Sequence, residues 1–200
     1  MQLENYYWCF HGAIPSRICD DIIAYGKELK EQTGVTFGHD PDNMTPNEQK
    51  KLEKQRSSNV VWMDPVWIYR ELHPLVNEAN ANAGWNFQWD YSEPCQFTKY
   101  VGSKKQHYDW HTDSGPRKNE NGKIRKLSMT VALVDGSEYE GGDFQVNLND
   151  PKTEAIHVIK PARLKGSVTI FPSFVWHRVT PVTSGTRYSL VNWHQGWPHT

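Results

Sequence analysis

Cysteine is scarce in this chain: Cys9, Cys19 and Cys95 are its three, widely spaced and odd in number. That excludes a disulfide framework and a zinc knuckle, and it indicates a reducing compartment. Also lacking is any apolar run approaching the length of a membrane span. The start, Met1-Gln-Leu-Glu-Asn5, has neither the basic segment nor the apolar stretch of a signal peptide. A soluble, intracellular, cytoplasmic protein with no membrane partner is the expectation. An excess of either charge is missing as well: the formal net charge of −1 exerts no overall pull toward nucleic acid or membrane. With no repeat, low-complexity tract or linker, a single domain over 1–200 is expected, large enough for one core with two packed layers.

Aromatic side chains are plentiful. Nine Trp, nine Tyr and seven Phe supply much of the burial, because each ring removes a large area from water. Residues 5–14 read as an opening strand, and Pro15-Ser16 starts a helix over 16–31 with Ser16 as N-cap. Ile18, Ile22, Tyr25 and Leu29 give that helix one apolar face, with Cys19 beside it as a packing residue. From Gly34 to Ser58 the chain turns polar and reads as a solvated loop with one helical turn, or as a lid that closes over substrate. Val60-Val-Trp62 reads as a strand and 65–83 as a second helix, with Trp67, Leu72, Leu75, Val76 and Ala79 as its core face and His73 as a structural residue.

After Gly84 short strands take over, near 86–91, 94–101, 106–112, 125–134, 142–147, 155–159, 167–171, 175–181 and 187–194. The breaks are Ser114-Gly115-Pro116, Asp135-Gly136, Glu140-Gly141-Gly142, Asn149-Asp150-Pro151 and Thr183-Ser184-Gly185. This pattern suits a double-sheet jelly roll over 86–197, supported by helices from 1–85: a mainly β, α+β fold.

The chemistry gathers around Tyr108-Asp109-Trp110-His111-Thr112-Asp113. In a strand, residues i and i+2 leave the same face, so His111 and Asp113 could grip one ion together. His-x-Asp alone is weak evidence, since a surface turn with a capping Asp looks the same. A distant His177 in an apolar stretch would complete a two-histidine, one-carboxylate facial triad, the ligand set of non-haem Fe(II) oxygenases. Arg187, ten residues on, offers the bidentate fork that holds the far carboxylate of a dicarboxylic acid. His107, His157, His194 and His199 have no partner at ligand spacing. Leu127, Met129, Val131 and Leu133, or the alternate set on that strand, would wall the pocket. The tail from Trp193 to Trp197 reads as core or as a substrate shelf.

Five stretches together resemble the 2-oxoglutarate- and Fe(II)-dependent dioxygenases of the prolyl 4-hydroxylase-like group. They are Gln96-Phe-Thr-Lys-Tyr100, Tyr108 through Asp113, Glu140-Gly-Gly142, Lys165-Gly-Ser-Val-Thr-Ile-Phe-Pro172, and His177 through Arg187. The resemblance covers about residues 94 to 195 and implies a double-stranded β-helix with helices 16–31 and 65–83 packed on one sheet. It implies His111, Asp113 and His177 as metal ligands, Arg187 on the distal carboxylate of 2-oxoglutarate, and Tyr100 and Tyr108 lining the cosubstrate pocket. Where the group has a short Gly turn between its two tyrosines, this chain has Val101-Gly-Ser-Lys-Lys-Gln-His107, which leaves the role of Tyr100 open. The cofactors implied are Fe(2+), 2-oxoglutarate and O2, with L-ascorbate as an optional addition. The activity implied is C–H hydroxylation with release of succinate and CO2.

The expected substrate is a prolyl residue in a peptide or protein, with Trp110 and Trp176 as candidate surfaces for the ring. Nucleic acid is one alternative, favoured by the basic residues Lys104, Lys105, Arg117, Lys118, Lys123, Arg125 and Lys126. Against it, the nucleic-acid demethylases of this superfamily carry a second Arg soon after the first, and no Arg follows Arg187. A free amino acid such as proline, or a non-catalytic sugar-binding jelly roll using exposed Trp, are the other readings. The oligomeric state is left open.

Overall fold

The computed structural model of the chain describes residues 3–36, 44–115, 118–148 and 155–198. The first part holds β1 (Trp8–Phe10), α1 (Ser16–Glu28), β2 (Gln32–Thr33), α2 (Pro46–Gln55), β3 (Arg56–Ser57), β4 (Asn59–Met63) and α3 (Val66–Asn82). The strand-rich part begins with β5 (Tyr91–Ser92), β6 (Cys95–Val101), β7 (His107–His111), β8 (Ile124–Ala132) and β9 (Tyr139–Gly141). It closes with β10 (Phe144–Asn147), β11 (Ile156–Val158), β12 (Val168–Pro172), β13 (Trp176–Val179) and β14 (Val182–Gly196).

Among the described residues two antiparallel sheets form. The larger runs β1-β12-β8-β14-β6-β4-β2, with β9 and β5 pairing near the start and end of β14; the smaller runs β11-β10-β13-β7-β3. Together they make the jelly roll that the strand spacing predicts.

Alternation along β8 decides which face of the larger sheet does what. Leu127, Met129, Val131 and, just beyond the strand, Leu133 are fully buried against the helices. They share one cluster with Cys19 and Ile22 of α1 and with Ile68, Leu72, Val76 and Ala79 of α3. Full burial of each such side chain stabilises by roughly 1.5–3 kcal/mol. The other set, Ser128, Thr130 and Ala132, therefore faces the smaller sheet, and it is this alternate set that borders the site. A second cluster, with Tyr139, Phe144, Val146, Phe171, Val179 and Val182, fills the space between the sheets.

Several boundaries differ from the sequence reading. Ser16 is the first helical residue and not the N-cap; Pro15 takes that place, with no side-chain cap. The buried line of α1 is Cys19, Ile22 and Gly26, so Ile18, Tyr25 and Leu29 flank it. In α3 the line is Ile68, Leu72, Val76 and Ala79, with Trp67 and Leu75 at its sides. The polar stretch carries a ten-residue helix, α2, where one turn was expected: Thr45 and Glu48 form a reciprocal capping box and Pro46 opens the first turn. Of the lid candidate 34–58, residues 37–43 lie outside the described residues, as do Pro116 and the Asn149-Asp150-Pro151 break.

Residues 86–90 are not strand, because the side chain of Asn80 both donates to Phe87 O and accepts from Phe87 N, taking the place of a strand partner. Glu140-Gly141 is strand rather than break, and Thr183-Ser184-Gly185 lies inside β14, where a register shift absorbs the irregularity. The opening strand shrinks to β1, since Gly12 at φ 59 turns the chain two residues later.

His73 is structural, as expected. Its Nε2 and Nδ1 of His194 flank the Ser92 hydroxyl at 3.0 and 2.9 Å. Burial, and secondarily His73, holds the pKa of His194 down to about 3. An unfolded histidine titrates near 6.5, so the unfolded chain takes up this proton first. Stability is then fully present above about pH 6.5 and is lost as pH falls toward 3, by about 2 kcal/mol at pH 5. Between pH 7 and pH 5 the melting temperature should drop roughly 4–8 °C further in wild type than in a His194→Gln variant. Equal drops would mean that His194 is protonated in the folded state.

Candidate metal centre

β7 and β13 pair with His111 directly opposite His177, while Val179 lies opposite Tyr108. One extra residue of β7 is thus accommodated by a bulge. The bulge brings Tyr108 and His111, three apart, onto the same inner face, where their rings stack at 3.5 Å and 10°. Asp113 stands just past the end of β7 rather than in the strand. The N–H groups of Asp113 and Ser114 both donate to Ser173 O, at 2.8 and 2.9 Å, and this turn carries the carboxylate back between the two histidines.

The three side chains converge. His111 Nε2 is 3.7 Å from one Asp113 oxygen and His177 Nε2 is 3.4 Å from the other. The donor atoms of all three lie within 4.8 Å of one another. These separations exceed a good hydrogen bond and suit donors that share one ion. The orientation of each ring is imposed from behind. Nδ1 of His111 meets Asp109 O at 2.7 Å and Nδ1 of His177 meets Val175 O at 2.9 Å. In the neutral ring Nδ1 is then the donor, and the Nε2 lone pair points at the centre.

Burial and the nearby His177 hold the pKa of His111 down to about 3, so it is a neutral imidazole at pH 7. Burial alone would raise Asp113, but the two histidines, Arg125 and a hydrogen bond from Ser128 outweigh it and bring the carboxyl to about 2. Two imidazole nitrogens and one carboxylate, with their far sides already bonded, fit a divalent cation that keeps open positions.

Arg187 lies on β14, opposite Tyr100 of β6, with only 3% of its surface exposed. One Nη donates to Ser189 Oγ at 3.1 Å, and the guanidinium stands 5.5 Å from the Tyr100 ring centre. Among the described residues no carboxylate lies within ion-pairing distance of it. Gly142, at φ 64, leaves its passage open, since a Cβ there would come within 3.0 Å of Arg187 Cδ. Burial raises the Tyr100 hydroxyl above its usual pKa, against Arg56 and Arg187. Tyr108, likewise buried, rises to about 12. The longer link between these tyrosines forms a short 3-10 turn over 102–104, with Lys105 left-handed at φ 50. Gln106 fastens it by accepting from Val101 N and donating to Asn59. With that link in place Tyr100 still stands directly across from Arg187.

Sequence reasoning missed Arg56, Ser128 and Ser173. Arg56 sits 5% exposed under the Tyr108 ring and donates to Ser58, Val35 O and Gln96. It closes a polar run whose other described charges are exposed, and nothing local marks it as buried. Ser128 and Ser173 share a hydrogen bond of 2.9 Å. With Ser128 donating to Asp113, the Ser173 hydroxyl donates to Ser128, so one serine pair supports the carboxylate. Trp110 and Trp176 neighbour His111 and His177 in sequence and are turned the other way by strand alternation; Arg178 covers the Trp110 ring at 4.6 Å.

Residues 95–195 match the family model described as the 2OG-Fe(II) oxygenase superfamily. A PKHD-type hydroxylase of Hyphomonas neptunium is 30% identical over 185 residues, covering 89% of this chain and 73% of its own. Other PKHD-type hydroxylases match over shorter stretches, so the chain spans about half the length of several of them, for example 56% and 41%. In fold the chain is similar to a crystal structure of a Pseudomonas putida prolyl-4-hydroxylase, with TM-score 0.66 at 20% identity and coverage of 98% of this chain and 95% of the other. A Trichoplax adhaerens prolyl hydroxylase, solved with a peptide fragment of the hypoxia inducible factor oxygen degradation domain, gives 0.68 at 18% identity over 96% and 84%. Among the described residues no helix is long and apolar enough to cross a membrane.

Proposed function

Since the chain belongs to the 2OG-Fe(II) oxygenase superfamily and is a 2-oxoglutarate-dependent dioxygenase, we propose that it hydroxylates prolyl residues of a peptide or protein. In this reading His111, Asp113 and His177 hold the metal, Arg187 binds the distal carboxylate of 2-oxoglutarate, and Tyr100 and Tyr108 line its pocket. Iron(II), with 2-oxoglutarate and O2, supplies the oxidation that places one oxygen on substrate and yields succinate and CO2. The protein supplies orientation and a dry pocket.

The observation that carries the reading is Arg187. A buried cation with unused donors and no counter-ion is costly to keep, and a dicarboxylate removes that cost. Its ring neighbour Tyr100 feels both Arg187 and Asp113, which puts all three in one field.

For the substrate, support comes from the mouth. Trp62 is 43% exposed, and its ring lies 6.1 Å from that of the buried Trp193. Arg125 covers Trp193 at 3.9 Å. A flat apolar ring beside a guanidinium donor suits a proline and its main-chain carbonyl. The peptide in the Trichoplax structure points the same way. Of the basic cluster, Lys123 is paired with Asp90, Arg125 with Glu93, and Lys126 is buried, while Lys104, Lys105 and Lys118 are exposed and Arg117 lies outside the described residues.

Mass spectrometry of Pro-containing peptides after incubation with Fe(II), 2-oxoglutarate and ascorbate tests the proposal. A gain of one oxygen on proline is expected. Succinate formed only with single-stranded DNA or with free amino acids would overturn the peptide reading.

A further inference from the structure

Glu93, between β5 and β6, is fixed at almost every polar atom. Its N–H donates to Trp193 O at 2.9 Å, and its carbonyl accepts from Asn192 Nδ2 at 2.7 Å and from Tyr69 at 3.0 Å. Its carboxylate, 13% exposed, accepts Arg125 Nε and Nη2, each at 2.6 Å, and Gln195 Nε2 at 2.6 Å. This is the paired, planar fork that fixes a guanidinium in direction as well as position. Gln195 Oε1 in turn accepts Asn119 Nδ2 at 2.6 Å.

Asn119 builds the turn that follows the metal carboxylate. Its Oδ1 accepts from the amides of Asn121 and Lys123, at 3.0 and 2.8 Å, and its own amide donates to Lys123 O at 2.8 Å. One carboxylate thus anchors two parts of the mouth: the cation lying on Trp193 and the 118–123 turn.

We propose that Glu93 is a positioning residue of the substrate mouth, setting Arg125 and, through Gln195, the Asn119 turn, so that affinity for the prime substrate depends on it and affinity for 2-oxoglutarate does not. With Nε and Nη2 occupied by Glu93, Arg125 Nη1 is left without a described partner, above the Trp193 ring. A donor fixed in direction over an apolar ring suits a carbonyl acceptor of an extended chain. Released from Glu93, Arg125 would sample many rotamers, and both this donor and the turn would lose register. This inference rests on the peptide reading above.

The test compares wild type with Glu93→Gln, Glu93→Ala, Arg125→Ala and the Glu93→Ala/Arg125→Ala pair. The probes are 2-oxoglutarate titrated into the Mn(II)-loaded protein, and the Pro-containing peptide that wild type turns over best. Glu93→Gln is expected to raise the peptide KM by roughly tenfold to a hundredfold, the range for a lost charge-assisted bond. Its kcat should change far less, and its Kd for 2-oxoglutarate should stay within about twofold of wild type. The double variant should raise the peptide KM by less than the product of the two single effects, because one of the two routes from Glu93 runs through Arg125.

Hydrogen exchange gives an arm that needs no substrate. The amides of Asn121, Gly122 and Lys123 should exchange faster in Glu93→Gln, while those of β8 and β14 keep their rates. An unchanged peptide KM, fully additive single variants, or an equal loss of 2-oxoglutarate affinity would overturn the proposal. If wild type oxidises no peptide, the peptide reading fails by itself. Exchange then decides the rest: faster exchange confined to 121–123 keeps the positioning role, and unchanged exchange removes it.

Discussion

His111→Ala, Asp113→Ala and His177→Ala are each expected to abolish succinate formation and Mn(II) binding. The donor atoms of these three side chains converge only through long-range geometry: a bulge in β7, the register of β7 on β13, and the turn that hangs Asp113 and Ser114 on Ser173 O. None of the other described acids or histidines joins the cluster, so a lost ligand has no substitute there. Wild type should take up about one Mn(II) or Fe(II) per chain. The variants differ in what else they disturb. His177 packs at 4.6 Å from Phe171 and 5.8 Å from Phe144, so its truncation leaves a cavity and should lower the melting temperature. Asp113→Ala removes a carboxylate that sits between two rings and should leave most of the fold intact. Far-ultraviolet circular dichroism and metal titration on the same sample separate the effects. Full activity in Asp113→Ala would show that the metal is held elsewhere.

Arg187→Ala should raise the apparent KM for 2-oxoglutarate roughly thirtyfold to several thousandfold, the range for removing one partner of a desolvated charge pair at about 2–5 kcal/mol. Metal affinity should change much less, because Arg187 holds Ser189 and faces the Tyr100 ring rather than a ligand. Lysine in its place keeps a charge but not the fork, and is expected to recover only part of the affinity. The alanine variant leaves Tyr100 with one cation fewer, so loss of fold must be checked by its melting curve. Unchanged 2-oxoglutarate affinity would place the carboxylate on another group.

Much of this arrangement could be read from the chain before any coordinates. His111, Asp113, His177 and Arg187 stand out because their order and spacing are unusual, and the structure brings the first three into one cluster and buries Arg187 beside the Tyr100 ring. Period-two apolar runs gave the strands, and the alternation of β8 pointed to two candidate walls. Choosing between those walls required knowing where α1 and α3 pack, which is tertiary information. The bulge that turns Tyr108 and His111 to one face had no sequence signal, since strand periodicity alone puts residues three apart on opposite faces. The helix α2 did have one: Thr45-Pro46-Asn47-Glu48 is a capping box with Pro in the first turn, and its polar surroundings masked it. Glu93 and Arg125, 32 apart in sequence, carry no local mark of their pairing. Trp193 and Trp197 part company in the structure, the first 6% exposed under Arg125 and the second 64% exposed beside Lys123.

A crystal structure of the protein with Mn(II) and 2-oxoglutarate tests the site most directly. The expected result is one metal ion bound by His111 Nε2, Asp113 and His177 Nε2, with the distal carboxylate of 2-oxoglutarate on the Arg187 guanidinium beside Tyr100. A metal ion on other residues, or a 2-oxoglutarate whose distal carboxylate turns away from Arg187, would contradict it.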